Sequence, residues 1–237
     1  MSFIVAIDGP SCVGKSTIAK ILAEELDFSY FQSGSLYRCV AFQMKKEGLT
    51  TEDEKDIQQM LTDMHIQFRN TKEGQIVLLN GENVTTIIRS KEVTDFSSKV
   101  ASIQLVRDSV DRKLRRLAYD TNIIMDGRDI GTTLFPNADI KFFLTAHPSV
   151  RAKRKQKELA QNGEYQSYEA ILESMYIWDY DAIHRKHGAL RRAPDSIGID
   201  TSDLTIEELK GIMLEKISQR IQEKEKRESE EKEIWMK

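Results

Sequence analysis

The strongest constraint on this chain lies between its ninth and seventeenth residues. Gly9-Pro10-Ser11-Cys12-Val13-Gly14-Lys15-Ser16-Thr17 follows directly on the apolar run Phe3-Ile4-Val5-Ala6-Ile7. Two glycines let the backbone curl until successive N–H groups point inward at an anion, and the helix that follows turns its positive end to the same point. Such a segment is a phosphate-binding loop. In this spacing Lys15 reaches the β- and γ-phosphates of a nucleoside triphosphate, and Ser16 offers its hydroxyl to the Mg²⁺ that bridges them. Thr17 continues into a helix with apolar positions at Ile18, Ile21, Leu22 and Leu26. Strand, loop and helix stand in the required order, so Gly9 to Thr17 are the expected site of the triphosphate.

The pattern downstream extends this unit into an α/β frame. A short strand at Phe28-Ser29-Tyr30-Phe31 leads through a turn into a helix over 36–46, and strand–helix–strand order favours a parallel sheet. From His65 to Val84 the period shortens. His65-Ile66-Gln67-Phe68 and Gln75-Ile76-Val77-Leu78-Leu79 flank a Lys72-Glu73-Gly74 turn, which predicts a small antiparallel insertion near 65–84. A helix over 92–119, broken near 101–105, precedes a buried strand at Asn122-Ile123-Ile124-Met125 that ends at Asp126. Two further strands are predicted at 141–144 and 197–200. Between them 148–162 and 168–186 read as a helical hairpin. The closing helix is expected over 202–221 with Ser202 as N-cap, followed by a charged, solvated helical extension over 222–237 that frays.

Composition narrows the class. The 237 residues, 40% of them hydrophobic, are enough for a full α/β core in one catalytic unit. With 35 basic and 38 acidic side chains the net charge is −3, which offers no general attraction to nucleic acid or to an anionic membrane. The two cysteines, Cys12 and Cys39, imply no disulfide framework and a reducing compartment. No segment approaches the roughly twenty apolar residues of a membrane span, and no charged leader precedes the first strand, so a cytoplasmic protein is expected.

Two further segments carry chemistry at strand ends, where open parallel sheets place their ligands. Ser33-Gly34-Ser35-Leu36-Tyr37-Arg38 opens a helix after the second strand, from which a hydroxyl and a guanidinium can meet a second phosphorylated substrate. Arg38 suits bidentate contact with phosphate. Asp126-Gly127-Arg128-Asp129 ends the strand expected beside the phosphate loop. It brings a clamp for the transferred phosphoryl group together with an acid that either reads a base or orients water on Mg²⁺. His184 and His187 have helical i, i+3 spacing, but no third ligand accompanies them, and they read as a solvated helix face.

Taken together, these segments resemble the bacterial-type cytidylate kinases of the nucleoside monophosphate kinase group. The likeness rests on Ile7 to Ser16, on Ser33 to Arg38, on Asp126-Gly127-Arg128-Asp129-Ile130-Gly131-Thr132, on Phe135 to Leu144 and on Asp195 to Thr201. It runs in order over about residues 3–220. The resemblance implies a three-layer α/β P-loop kinase with a parallel core sheet, a helical lid and a small antiparallel β insertion. Its core comprises 1–35, 108–147 and 191–237, its monophosphate-binding region 36–107, and its lid 148–190. The implied reaction is ATP-dependent phosphorylation of CMP and dCMP in pyrimidine nucleotide metabolism, by a monomer that binds neither nucleic acid nor membrane. Lys15, Arg128 and Arg185 are the implied catalytic groups, with Arg151 and Arg154 joining Gly9 to Thr17 around ATP and Ser16 on Mg²⁺. Ser33, Arg38, Asp126, Arg128 and Arg185 surround the acceptor, and Ser98, Arg107 and Asp129 read cytosine. Cytosine offers acceptors at O2 and N3 and a donor at its exocyclic amine, which suits that trio.

The lid departs from the pattern. The family sequence resembles Arg-Asp-x-x-Asp-Ser-x-Arg, whereas this chain reads Trp178-Asp179-Tyr180-Asp181-Ala182-Ile183-His184-Arg185. Asp179 and Arg185 are kept. Trp178 replaces an arginine, and Ala182 and Ile183 replace groups that hold the acceptor's sugar and part of its phosphate. Either Arg151, Arg154 and Lys155 substitute for them, or the chain is a nucleotide-binding paralogue with altered acceptor use or weak turnover.

Overall fold

The computed structural model describes residues 2–71, 74–161 and 163–235. Strand β1 (Ile4–Asp8) runs into the phosphate loop and then α1 (Lys15–Glu25), and β2 (Ser29–Gln32) runs directly into α2 (Ser33–Lys46). Helix α3 (Glu54–Asp63) precedes β3 (Ile66–Thr71), β4 (Gly74–Leu79) and β5 (Glu82–Asn83). Next come α4 (Lys91–Val100), α5 (Gln104–Leu117), β6 (Ile123–Gly127) and β7 (Ile140–Thr145). The chain closes with α6 (Pro148–Gln161), α7 (Tyr168–His184), β8 (Ile197–Asp200) and α8 (Ile206–Trp235).

Five strands form one parallel sheet in the order β2-β6-β1-β7-β8, with Asp8 of β1 opposite Gly127 of β6. Because side chains alternate along a strand, a sheet buried on both faces needs apolar residues at every position. β1 and β6 meet that demand. Val5, Ile7 and Ile124 pack with Ile18 and Leu22 of α1 and with Leu209, Met213 and Ile217 of α8. Ala6, Ile123 and Met125 face the other way, against Leu36, Val40 and Met44 of α2 and Val106, Val110 and Leu114 of α5. Helix, sheet and helix are the three layers. Strands β3, β4 and β5 form the separate antiparallel sheet, with Ile66 opposite Leu79. The predicted turn at Lys72 and Glu73 lies outside the described residues.

Differences from the sequence reading sit at element ends. Helix α3, absent from that reading, buries only Ile57, Met60 and Leu61. The closing helix begins at Ile206 rather than Ser202. Thr205 and Glu208 form a reciprocal capping box there, the Glu208 carboxylate accepting from the Thr205 N–H at 2.8 Å and the Glu208 N–H donating to the Thr205 hydroxyl at 3.2 Å. Ser202 instead donates its hydroxyl to Asp200 and accepts from the His147 N–H. Beyond 221 the expected helical extension is continuous with α8. It continues to Trp235, and Lys224 fastens it by donating to the Ser2 carbonyl and the Asp139 carboxylate, each at 2.8 Å.

Candidate active site

The parallel sheet delivers Asp8, Gln32, Asp126 and Thr145 to one edge, where β1, β2, β6 and β7 all end. Gly9 turns the chain there with φ +147°, and its Cα lies so close to the Leu144 backbone that no Cβ fits. The phosphate loop thus sits directly against the sheet. Lys15 is only 7% exposed and donates to the Pro10 carbonyl at 2.5 Å. Burial, reinforced by the Arg128 charge, pushes its ammonium down to about 7.

Ser16, Asp126, Tyr30 and Gln32 form a connected polar group beneath the loop. The Ser16 hydroxyl donates to Asp126 at 2.8 Å, the Tyr30 hydroxyl donates to the other carboxylate oxygen at 2.7 Å, and the Gln32 amide donates to Ser16 at 2.6 Å. Gln32 also accepts from Arg38 at 2.8 Å. One side chain therefore joins the Ser16 hydroxyl to the Arg38 guanidinium. These donors suit Mg²⁺, which keeps several waters and binds phosphate oxygens with one or two protein oxygens. Ser16 and Asp126 would hold it, directly or through water, and it would offset phosphate charge. Asp126 thus lies on the Ser16 side of the cleft, with both carboxylate oxygens engaged.

The Asp126 to Asp129 segment is pinned from behind. Asp8 accepts from the N–H groups of Ile130 at 2.8 Å and Gly131 at 2.7 Å, so a buried carboxylate ties this segment to β1. Burial pushes the Asp8 carboxyl up to about 6 against the opposing pull of those two N–H groups. Sequence reasoning passed over Asp8, although its place at the end of the first strand was a usable signal. Asp8→Ala strands two buried donors, so thermal denaturation should show a loss of about 2–5 kcal/mol. Asp8→Asn, which keeps one acceptor oxygen, should lose less than half of that.

Around the cleft, of about 330 Å³, stand Lys15, Ser16, Ser33, Arg38, Ser98, Asp126, Arg128, Asp129 and Arg185. Arg128 donates to the Gly9 carbonyl at 3.0 Å, and Arg185 donates to Gly188 and lies 3.5 Å from Asp129. Burial holds Arg38 down to about 10 and pushes Arg128 and Arg185 below the usual guanidinium range. The Arg38 Nε and the Ser11 hydroxyl are buried without a hydrogen-bond partner among the described residues. Ser33 spends its hydroxyl on the Asp126 carbonyl at 3.0 Å.

Gly9, Pro10, Val13, Gly14 and Thr17 of the loop stand outside the cleft lining, as do three of the predicted arginines. Arg107, 3% exposed, lies behind the wall, bonded to the Ala101 carbonyl at 3.1 Å and ion-paired with Asp129. Arg151 donates to the Ser11 carbonyl at 3.2 Å and to Asp179 at 2.6 Å. Arg154 donates to the Thr201 hydroxyl, and that hydroxyl donates to the Val13 carbonyl, each at 3.0 Å. Arg151 therefore abuts the phosphate loop directly and Arg154 reaches it through Thr201, and of the basic trio only Lys155 lines the cleft. Tyr37, inside the Ser33 to Arg38 segment, also lines it, with Gln32, Thr94 and Ser97, which carried no short motif of their own.

A family model described as cytidylate kinase matches residues 5–219, which takes in every element of this site. The chain belongs to that family. The cytidylate kinase of Geobacillus thermodenitrificans (strain NG80-2) is 39% identical over 217 residues, spanning 92% of this chain and 97% of that enzyme. The cytidylate kinase of Caldicellulosiruptor bescii is 40% identical over 211 residues, 89% of this chain and 93% of its own. Among solved structures, an uncharacterized protein from Eubacterium ventriosum ATCC 27560 superposes with a TM-score of 0.51 at 13% identity. That alignment covers 92% of this chain and 99% of the other, and it speaks to the fold alone. Within this cytidylate kinase family member, Arg185 keeps its place at the cleft while Trp178 and Ala182 line it where the family pattern has charged groups.

Proposed function

We propose that this kinase transfers the γ-phosphoryl group of ATP to CMP and dCMP, releasing ADP and the corresponding diphosphates. The observation that carries the reading is the set of desolvated cations, Lys15, Arg38, Arg128 and Arg185, gathered on one cleft with their pKa values pushed down. Buried positive charge without matching acids is costly, and phosphate oxygens supply the missing partners.

An oxygen of the acceptor's phosphate attacks the γ-phosphorus, and the bond to the β–γ bridging oxygen breaks as ADP departs. The transition state is loose, so alignment and charge neutralisation do most of the work. Lys15 and the loop N–H groups hold the donor, with Arg151 and Arg154 at its flank. Arg38 and Arg128 fix the acceptor phosphate, and Arg185 closes over the group in flight. Ser33 positions the acceptor, Ser98 and Asp129 contact the base, and Arg107 sets the direction of Asp129. Mg²⁺ at Ser16 and Asp126 would neutralise the phosphates when bound.

The core of 1–35, 108–147 and 191–237, the acceptor-binding region of 36–107 and the lid of 148–190 are its working parts. A monomeric, cytoplasmic enzyme of pyrimidine nucleotide metabolism accords with this chemistry and with the mixed surface charge. Among the described residues no helix is long and apolar enough to cross a membrane. A coupled ADP-release assay with Mg-ATP against CMP, dCMP, UMP and AMP tests the proposal, with hydrolysis in the absence of acceptor as baseline. Selective turnover of CMP or dCMP is expected. Nucleotide binding without turnover of any acceptor would overturn it in favour of the non-catalytic paralogue.

A further inference from the structure

Trp178 stands where charge would be expected, and its contacts give it a different role. Its indole N–H donates to the Asp95 carboxylate at 3.1 Å, joining α7 of the lid to α4. Helix α4 also supplies Thr94, Ser97 and Ser98 to the cleft wall. The body of the indole packs beside a small apolar cluster of Ala152, Leu159, Ile171 and Met175, where Cys12 of the phosphate loop is also seated. Trp178 further lines a second cavity of about 630 Å³, open between the lid and the β insertion. The residue is thus the wall between two spaces and touches, or packs beside, all three parts of the molecule.

We infer that Trp178 and Asp95 form a latch that holds the lid against the acceptor wall, replacing contact between a lid cation and phosphate at this position. An arginine here is a cation that the acceptor's phosphate draws away from Asp95. The neutral indole N–H stays on the carboxylate and closes the same gap in the empty cleft. The latch therefore favours the closed arrangement before chemistry, so that less binding energy of the acceptor is spent on closure. Its weight falls on acceptor affinity rather than on the rate of transfer. The inference rests on the proposed acceptor, since CMP is the probe.

Steady-state kinetics with Mg-ATP and CMP test it. Trp178→Phe keeps the apolar packing and deletes the N–H; the CMP KM should rise about tenfold, with kcat and the ATP KM little changed. Asp95→Ala should match it, and the double variant should add nothing to either. Asp95→Asn retains an acceptor oxygen and should stay within about twofold of the unaltered enzyme. Asp95 also pairs with Lys91 at 2.6 Å, so Lys91→Ala serves as control and should leave the CMP KM alone. A second readout is the emission of Trp178 with Trp235 replaced by phenylalanine. CMP should shift it, and in Asp95→Ala the shift should need correspondingly more CMP.

An unchanged CMP KM in Trp178→Phe, multiplying effects of the two single variants, or a Lys91→Ala enzyme that reproduces the rise would each overturn the latch. Failure of the unaltered enzyme to phosphorylate CMP would instead overturn the proposed function, and the two failures are separable.

Discussion

Lys15→Met is expected to lower kcat for CMP phosphorylation by about a hundredfold to a thousandfold while leaving the melting temperature at neutral pH equal or higher. The two effects have one cause. Lys15 is buried beside Arg128, a poorly solvated place for an ammonium, whose charge donor phosphate would compensate. Methionine fills a similar volume without the charge, so the empty fold loses a source of strain while the transition state loses a partner. Proton uptake gives a sharper check. At pH 8 the free enzyme holds Lys15 mostly neutral, because burial lowers its pKa to about 7. Phosphate oxygens favour the charged form, so Mg-ATP binding should take up close to one proton at pH 8 and little at pH 6. Calorimetry in two buffers of different ionisation enthalpy measures this, and Lys15→Met should abolish it. In the unfolded chain Lys15 keeps its proton to about pH 10.4. Between pH 7 and 10 the unfolded state therefore binds more protons, and the empty enzyme should gain stability from this group as pH rises. A Lys15→Met enzyme with normal turnover would remove Lys15 from the reaction.

What could be read in the sequence divides along a physical line. Gly9 to Thr17, Ser33 to Arg38 and Asp126 to Asp129 were legible because each packs its geometry and its chemistry into a few neighbouring residues. The parallel strands were legible because burial on both faces leaves continuous apolar runs at Val5-Ala6-Ile7 and Ile123-Ile124-Met125. Helix α3 was missed although Ile57, Met60 and Leu61 keep helical spacing, since three apolar residues among many charges make a faint stripe. At the last helix two signals competed, and the reciprocal pair Thr205 and Glu208 prevailed over the lone Ser202. The Gln32 bridge and the Trp178 contact with Asp95 join residues from different elements, and no local pattern announces them. The strand-end place of Asp8 was a signal, but its partners Ile130 and Gly131 were not.

The lid shows how the departures can be borne. Arg185 still reaches the cleft, and Arg151 is held to the phosphate loop by Asp179, the other retained residue of the motif. Lys155 adds a cation to the lining. The charge facing the phosphates is therefore spread over α1, α2, the Asp126 to Asp129 segment and the lid, and no single lid arginine carries it.

Replacing Arg107 should have the largest combined effect on stability and selectivity. Its guanidinium is paired with Asp129, bonded to the Ala101 carbonyl, stacked 5.5 Å from the centre of the Tyr37 ring and covered by the backbone of Gly188. Burial already pushes the Asp129 carboxyl up, and Arg107 is the strongest influence holding it down. Arg107→Met leaves that carboxylate, among the described residues, with only the longer ion pair to Arg185 at 3.5 Å, so a loss of about 3–5 kcal/mol is expected in denaturant unfolding. Without Arg107 the Asp129 carboxyl is pushed further toward its protonated form, which presents a donor where a carboxylate presents an acceptor. Selectivity for CMP over UMP should fall with it. The variant Arg107→Met with Asp129→Asn removes both charges, and most of the stability should return while the selectivity does not. That second variant separates a base-reading role from a structural one. If it recovers both stability and preference for CMP, the pair serves only the fold, and cytosine is read by other groups on the cleft wall.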